Sequence, residues 1–345
     1  MAWRDVFWHV RASAIKGNEK IKCMSIVSIL KKWTLPVSIL TGVSGYLFFA
    51  LIPAFESFAV LMDPVFERLL PVFMFGVLFV TFCKVDFRRM RPVRWHLWIA
   101  LSQLACVGAL MLLIIGGGLE GRTLVLAEAM LTCVISPCAS AAPVVTQKLG
   151  GNLEEMTTYM FMSNFITALA VPLCFPMMGG HCDMRFITAF TLILYKVCAI
   201  LVLPMVLAHI VKRWMPRLCS RIVSIKDLSF YLWGCSLVIV SGTTMKNIVN
   251  ASVSVGFLLA IAVFALVLCL CQFACGRMIG RRFGQKTNAG QALGQKNTAF
   301  AIWMACAYLT PLSSVGPGCY ILWQNIINSR EIWKAQKRAQ GTVSR

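Results

Sequence analysis

Between residues 35 and 329 the chain is a succession of apolar stretches, each the length of a bilayer, joined by short loops. A spanning helix needs about 20 largely apolar residues. Hydrocarbon offers no water to a stray amide or carbonyl, so only helices and closed barrels cross it. Stretches this long predict helices. They lie at 35–55, 67–83, 95–116, 123–147, 153–178, 185–210, 228–245, 252–276, 287–309 and 311–329, which makes ten. Of the 345 residues, 59% are hydrophobic and 13% charged, whereas soluble domains are about one quarter charged. The expectation is an all-α, multi-pass integral membrane protein whose immediate partner is the lipid bilayer.

The net charge of +20 invites a nucleic-acid reading, but the basic residues sit in the loops between spans. Lysine and arginine number 27 on one side of the ten-span arrangement and four on the other, with Lys196 and Lys296 inside spans. That asymmetry follows the positive-inside rule, predicts both termini in the cytoplasm of a cell (inner) membrane, and argues against nucleic acid as a partner. Residues 1–34 alternate Trp3, Phe7, Trp8 and Val10 with Arg4, Arg11, Lys16 and Lys20. They read either as an interfacial amphipathic helix or as a disordered basic tail. Residues 330–345 form a second basic cytoplasmic tail. The 15 cysteines show no ligand spacing with the four histidines, so neither a disulfide framework nor a metal site is expected, and no cofactor. No catalytic dyad or appended soluble domain speaks for an intramembrane enzyme or receptor.

Two spans are interrupted. The fourth carries Pro137 and Pro143 among small residues, and each proline removes an amide donor and clashes with the preceding turn. The ninth opens with Gly290-Gln-Ala-Leu-Gly-Gln-Lys-Asn-Thr-Ala-Phe-Ala301. There Gly290 and Gly294 mark the expected break, among glutamines, an asparagine and a lysine that hydrocarbon does not tolerate unpaired. Each interrupted span is the fourth of five. Two five-helix halves in one membrane run in opposite directions, the pattern of inverted-repeat carriers that bind at broken helices. Other polar residues at depth, Ser163, Asn164 and Asn325, read as interhelical glue. Glu128 is expected at the aqueous edge of the fourth span. Lys196 is expected to snorkel.

On these residues the chain resembles the bile acid:sodium symporter family. Leu70-Pro-Val-Phe-Met-Phe-Gly76, Asp86-Phe-Arg-Arg and Gln103 are similar to that family's second helix, basic loop and third-helix glutamine. Pro137-Cys-Ala-Ser-Ala-Ala-Pro-Val-Val-Thr146 followed by Gly151-Asn-Leu resembles its first crossover and turn. Gly294-x-x-Asn297-Thr298 resembles the second crossover, and Tyr320-Ile-Leu-Trp-Gln-Asn-Ile-Ile-Asn-Ser329 the terminal helix. The resemblance implies ten transmembrane helices as two inverted five-helix repeats crossing at the fourth and ninth. It implies a transporter over 35–329 in two parts, a panel of helices 1, 2, 6 and 7 and a core of helices 3–5 and 8–10. It implies transport of a small organic anion by alternating access. Ser140 and Asn297 match the family's substrate contacts, with Ala141 and Thr298 beside them.

The departures concern the coupling ion. Where the family holds sodium, this chain has Ala142, Pro143, Met156, Met160, Ala292 and Lys296, and only Gln103 is kept. Hard cations need several oxygens, so sodium is not expected. Lys296 is expected to take the cation's place, the carrier then working either with no coupling ion or, where the amine titrates during the cycle, with protons. It lies ten residues beyond Lys286, about 15 Å along a helix, farther than its stem can snorkel. A metalloid (arsenite-type) efflux carrier on the same scaffold is the alternative, prompted by Cys138. Substrate identity, direction and oligomeric state are not legible.

Overall fold

The computed structural model describes residues 34–52, 56–86, 88, 90–178, 186–225, 228–250 and 253–343. The reading of residues 1–33 therefore lies outside the described residues. Fourteen α-helices follow in order. They are α1 (Thr34–Leu51), α2 (Glu56–Lys84), α3 (Arg94–Gly116), α4 (Gly121–Ile135), α5 (Ala142–Lys148), α6 (Leu153–Cys174) and α7 (Phe186–Leu201). Then come α8 (Leu203–Trp214), α9 (Pro216–Ser224), α10 (Leu228–Val249), α11 (Val255–Arg281), α12 (Lys286–Gly294), α13 (Thr298–Tyr308) and α14 (Val315–Val343). Among the described residues the only extended pairing is an antiparallel bridge between Cys138 and Lys296.

Among the described residues four helical segments are long and apolar enough to cross a membrane: Pro64–Lys84, Arg94–Gly116, Leu153–Met178 and Val255–Arg281. A fifth is the pair Phe190–Leu201 and Leu203–Trp214, bent by 42° where Pro204 opens α8. Apolar side chains such as Leu112, Val255 and Leu259 cover their outward faces, as a hydrocarbon surround requires. Aromatic packing, with Phe82 and Phe161 rings 4.4 Å apart, joins α2 to α6 inside. Around this interior, α10 packs on α1 and α2, while α11 carries both α12 and α14.

The fourth expected span is indeed two helices. Before Pro137 the chain turns out of the helix, with Ser136 at φ −60 and ψ 147, because proline crowds the preceding residue out of the helical region. Residues Ser136–Ala141 are non-helical. Pro143 lies past this break, in the first turn of α5, where a missing amide costs nothing.

The ninth span breaks at Gln295–Asn297, after the glycines rather than at them. Gly290 is mid-helix and Gly294 is the last residue of α12. Both serve close packing on α11: a Cβ on Gly294 would sit 2.4 Å from the Phe273 ring, and one on Gly290 2.7 Å from the Arg277 stem. One further expectation is corrected. Glu128 is buried, accepting the Thr310 amide at 3.1 Å, instead of facing water. Residues 330–343 continue α14 without a break, so the basic tail begins as helix. Lys196 stands 5.9 Å from the Tyr308 ring centroid, a cation–π approach across α7 and α13.

A Cβ on Gly276 would meet the Ala289 carbonyl oxygen at 2.3 Å, and backbone cannot swing aside. Gly276→Leu is therefore expected to cost about 1–3 kcal/mol or more by separating α11 from α12. Gly108 has nothing within 4 Å of its hypothetical Cβ, so Gly108→Ala should be neutral. Thermal unfolding in detergent measures both, and equal losses in the two variants would contradict this packing.

Candidate functional site

The two breaks lie against each other, and each satisfies the other's backbone. Ala139 donates its amide to the Gln295 carbonyl at 2.9 Å, and Asn297 donates to the Pro137 carbonyl at 2.8 Å. A helix end leaves several amides or carbonyls without intrahelical partners, and at membrane depth each needs one. At the end of α4, Thr167 donates to the Ile135 carbonyl at 2.9 Å, and Gln103 to the Ser136 carbonyl at 3.3 Å. The Cys138 amide reaches the Ser163 hydroxyl at 2.8 Å. At the end of α12, Tyr320 donates to the Gly294 carbonyl at 2.8 Å. Gln324 accepts the Lys296 amide at 2.9 Å and donates to its carbonyl at 3.3 Å.

Lys296 completes the set. Its side chain is 1% exposed, and its Nζ donates to the Val134 carbonyl at 2.9 Å and the Ser136 carbonyl at 3.3 Å. These are carbonyls of the α4 C-terminus, the negative end of a helix dipole. A buried ammonium costs several kcal/mol unless hydrogen-bonded, and here a helix end meets it, with no carboxylate among the described residues bonded to it. Gln103 shares the Ser136 carbonyl and accepts from the Tyr159 hydroxyl at 3.3 Å. Ala142, Met156, Met160 and Ala292 are fully buried around this point and Pro143 is buried beside them. None of these five side chains carries an oxygen.

In front of the crossing lies a cavity of about 980 Å³. Ser140, Ala141, Lys296, Asn297 and Thr298 line it, as does Pro143. Gln103, Pro137, Gly290 and Gly294 do not; they stand behind it as scaffold. Asn297 caps α13, its Oδ1 accepting the Phe300 amide at 3.2 Å. The opposite wall comes from α2 and α10 through Val77, Trp233 and Leu237. Lys84, Asp86, Lys148 and Glu154 also line it. Cys138 is buried and does not line the cavity.

Several residues that build the site do not stand out in the sequence. Thr167, Tyr320 and Gln324 hold carbonyls or amides of the breaks, and their signal is a polar atom at depth in an apolar helix. Asn288 accepts the Asn152 amide at 2.9 Å and donates to its carbonyl at 2.7 Å, docking α12 on the turn before α6.

The family model of the sodium bile acid symporter family matches residues 71–251, just over half of the chain. The chain belongs to that family. It is accordingly a transporter, a multi-pass membrane protein that handles a small molecule within a lipid surround. The matched stretch contains the first break of this family member; the second break with Lys296 lies beyond it. Comparison with curated proteins gives no match.

Gln324→Leu deletes the partner of the buried Lys296 amide. It should lower unfolding stability by about 1–3 kcal/mol, the cost of an orphaned buried donor. Asn325, one residue on, bonds only the Ile321 carbonyl of its own helix, so Asn325→Leu should change stability little. Thermal melts of the two variants separate these outcomes.

Proposed function

We propose that this symporter-family protein is a ten-helix carrier of two inverted five-helix repeats that moves a small organic anion by alternating access without sodium. The observation that carries the reading is the Lys296 ammonium on the Val134 and Ser136 carbonyls, beside the cavity at the crossing breaks. The amine supplies covalently a positive charge that a sodium ion would otherwise bring. The side chains at the family's sodium positions add no oxygen beyond Gln103, whose Nε2 is turned toward the Ser136 carbonyl that Lys296 also bonds. These donors do not fit a hard cation, which needs several oxygens. No transport step is therefore assigned to sodium, and protons remain the coupling ion to test.

Helix supports the ten-span count: each of the ten apolar stretches is covered mostly by one helix or an adjoining pair. The cavity lies between α2 and α10 on one side and the broken helices on the other, which supports a panel rocking against a core. Lys84 and Lys148, from the lysine-rich side, line it, which supports access from the cytoplasm with both termini on that side. Ser140 and Asn297, with the backbone of Ala141 and Thr298, grip the anionic group. Val77, Trp233 and Leu237 face its apolar body, so an amphipathic organic acid suits the space. The metalloid alternative has no support from Cys138, which is outside the cavity.

Uptake into proteoliposomes tests this directly, with bile salts, keto acids, pantoate-like acids and arsenite as candidates ranked first by thermal shift. Uptake of the organic acid is expected to be equal with and without sodium and to fall at least tenfold in Lys296→Gln, since about 1.4 kcal/mol of lost binding is a factor of ten. Repeating the wild-type assay across pH with an imposed proton gradient decides the coupling. Sodium-dependent uptake by the wild type would overturn the reading. Cys138→Ala is expected to leave uptake unchanged and to give no arsenite phenotype.

A further inference from the structure

A second cavity, of about 620 Å³, lies away from the crossing between α11, α12 and α14. A polar network lies along it, with Gln291 Oε1 and Asn328 Nδ2 left unbonded. Arg277 pairs with one oxygen of Glu331, and Gln291 Nε2 reaches the other at 3.4 Å and Asn328 Oδ1 at 2.9 Å. Arg277 is held against the Phe273 ring, 5.4 Å from its centroid, over the space left by Gly290. The only carboxylate lining the cavity is thus engaged on both oxygens.

Three other cations line the same cavity: Lys286, Arg330 and Lys334. All are exposed, and none makes an ion pair with a described carboxylate. The N-terminus of α12 enters the cavity at Lys286 and Thr287. Its N-cap Gln285 supplies no side-chain cap, its amide pointing instead to Glu155 at 3.5 Å, so first-turn amides remain for an anion. Independently, Gln291 is 1% exposed, lines the cavity, and leaves Oε1 without a hydrogen-bond partner. An unbonded buried acceptor asks for a hydroxyl donor. At the outer edge the walls become apolar, with Leu270 half exposed on α11 beside Ile327 and Leu149.

From this arrangement we propose that the α11–α12–α14 cavity is a binding site for a phosphate group carrying a hydroxylated substituent, namely the headgroup of an anionic glycerophospholipid. Lys286, Arg330, Lys334 and the α12 amides hold the phosphodiester. Gln291 Oε1 accepts from the headgroup hydroxyl, and the acyl chains leave over Leu270. The basic residues belong to the side read as cytoplasmic, and basic pockets between spanning helices at that face are suited to anionic headgroups. An occupant here braces α12 against α14, the helices that bring Lys296 and Gln324 together. The proposal shares with the proposed function only the sidedness read from the loop charges, and it concerns no residue of the cavity at the crossing.

The test uses the purified full chain in phosphatidylcholine nanodiscs, with phosphatidylglycerol added. Bound lipid is read by native mass spectrometry and stability by thermal shift. Phosphatidylglycerol is expected to be retained over phosphatidylcholine and to raise Tm. Replacing Lys286, Arg330 and Lys334 together by glutamine should weaken retention by roughly five-fold for each charge removed. The matched control replaces Arg213, Arg217 and Arg221 on α8 and α9 and should retain lipid as the wild type does. Inorganic phosphate alone reproducing the Tm rise, and displacing the lipid, would assign the same site to a free anion. Equal retention by the Lys286/Arg330/Lys334 variant and the wild type, or an equal loss in the control, would sink the proposal.

Discussion

Everything in this protein depends on paying for backbone polar groups that two broken helices leave without intrahelical partners in its buried interior. An unbonded amide or carbonyl there costs several kcal/mol, and the breaks at Ser136–Ala141 and Gln295–Asn297 free many at once. The solution is mutual. Ala139 and Asn297 bond across the crossing, and Thr167, Ser163, Tyr320 and Gln324 from α6 and α14 meet further groups. Neither break is stable without the other, so the crossing forms as a unit and fixes where α3, α6 and α14 stand.

Lys296 turns this backbone requirement into an electrostatic one. Its ammonium bonds the terminal carbonyls of α4, so a charge expensive to bury is matched by a helix end that is itself expensive to leave bare. The two costs offset each other. Lys296 itself lines the cavity together with Ser140 and Asn297, which puts its amine beside the proposed anion subsite. In a family whose description includes sodium, this is the residue on which the chain's proposed behaviour differs.

How far this was legible depended on whether a signal was local. Pro137 announced its break because proline acts on the residue before it. Gly290 and Gly294 misled: their missing side chains admit Phe273 and Arg277 of α11, a need that exists only after α11 and α12 pack. The actual second break has no proline; Gln324 and the Pro137 carbonyl hold it open. Glu128 looked like a boundary residue by distance along its helix, yet the turn before Pro311 folds over it.

The sequence by itself determined that the chain is helical and membrane-embedded, that two spans are interrupted, and that a lysine stands at depth in one of them. Those follow from hydrophobic length, proline sterics and the cost of burying charge, all of which act over a few residues. Only the tertiary structure decided where the second break falls, which glycines are packing notches, and which carbonyls Lys296 binds. These are matters of which helix meets which across more than 100 residues of chain, as between Lys296 and Val134, and no local rule encodes a partner that distant.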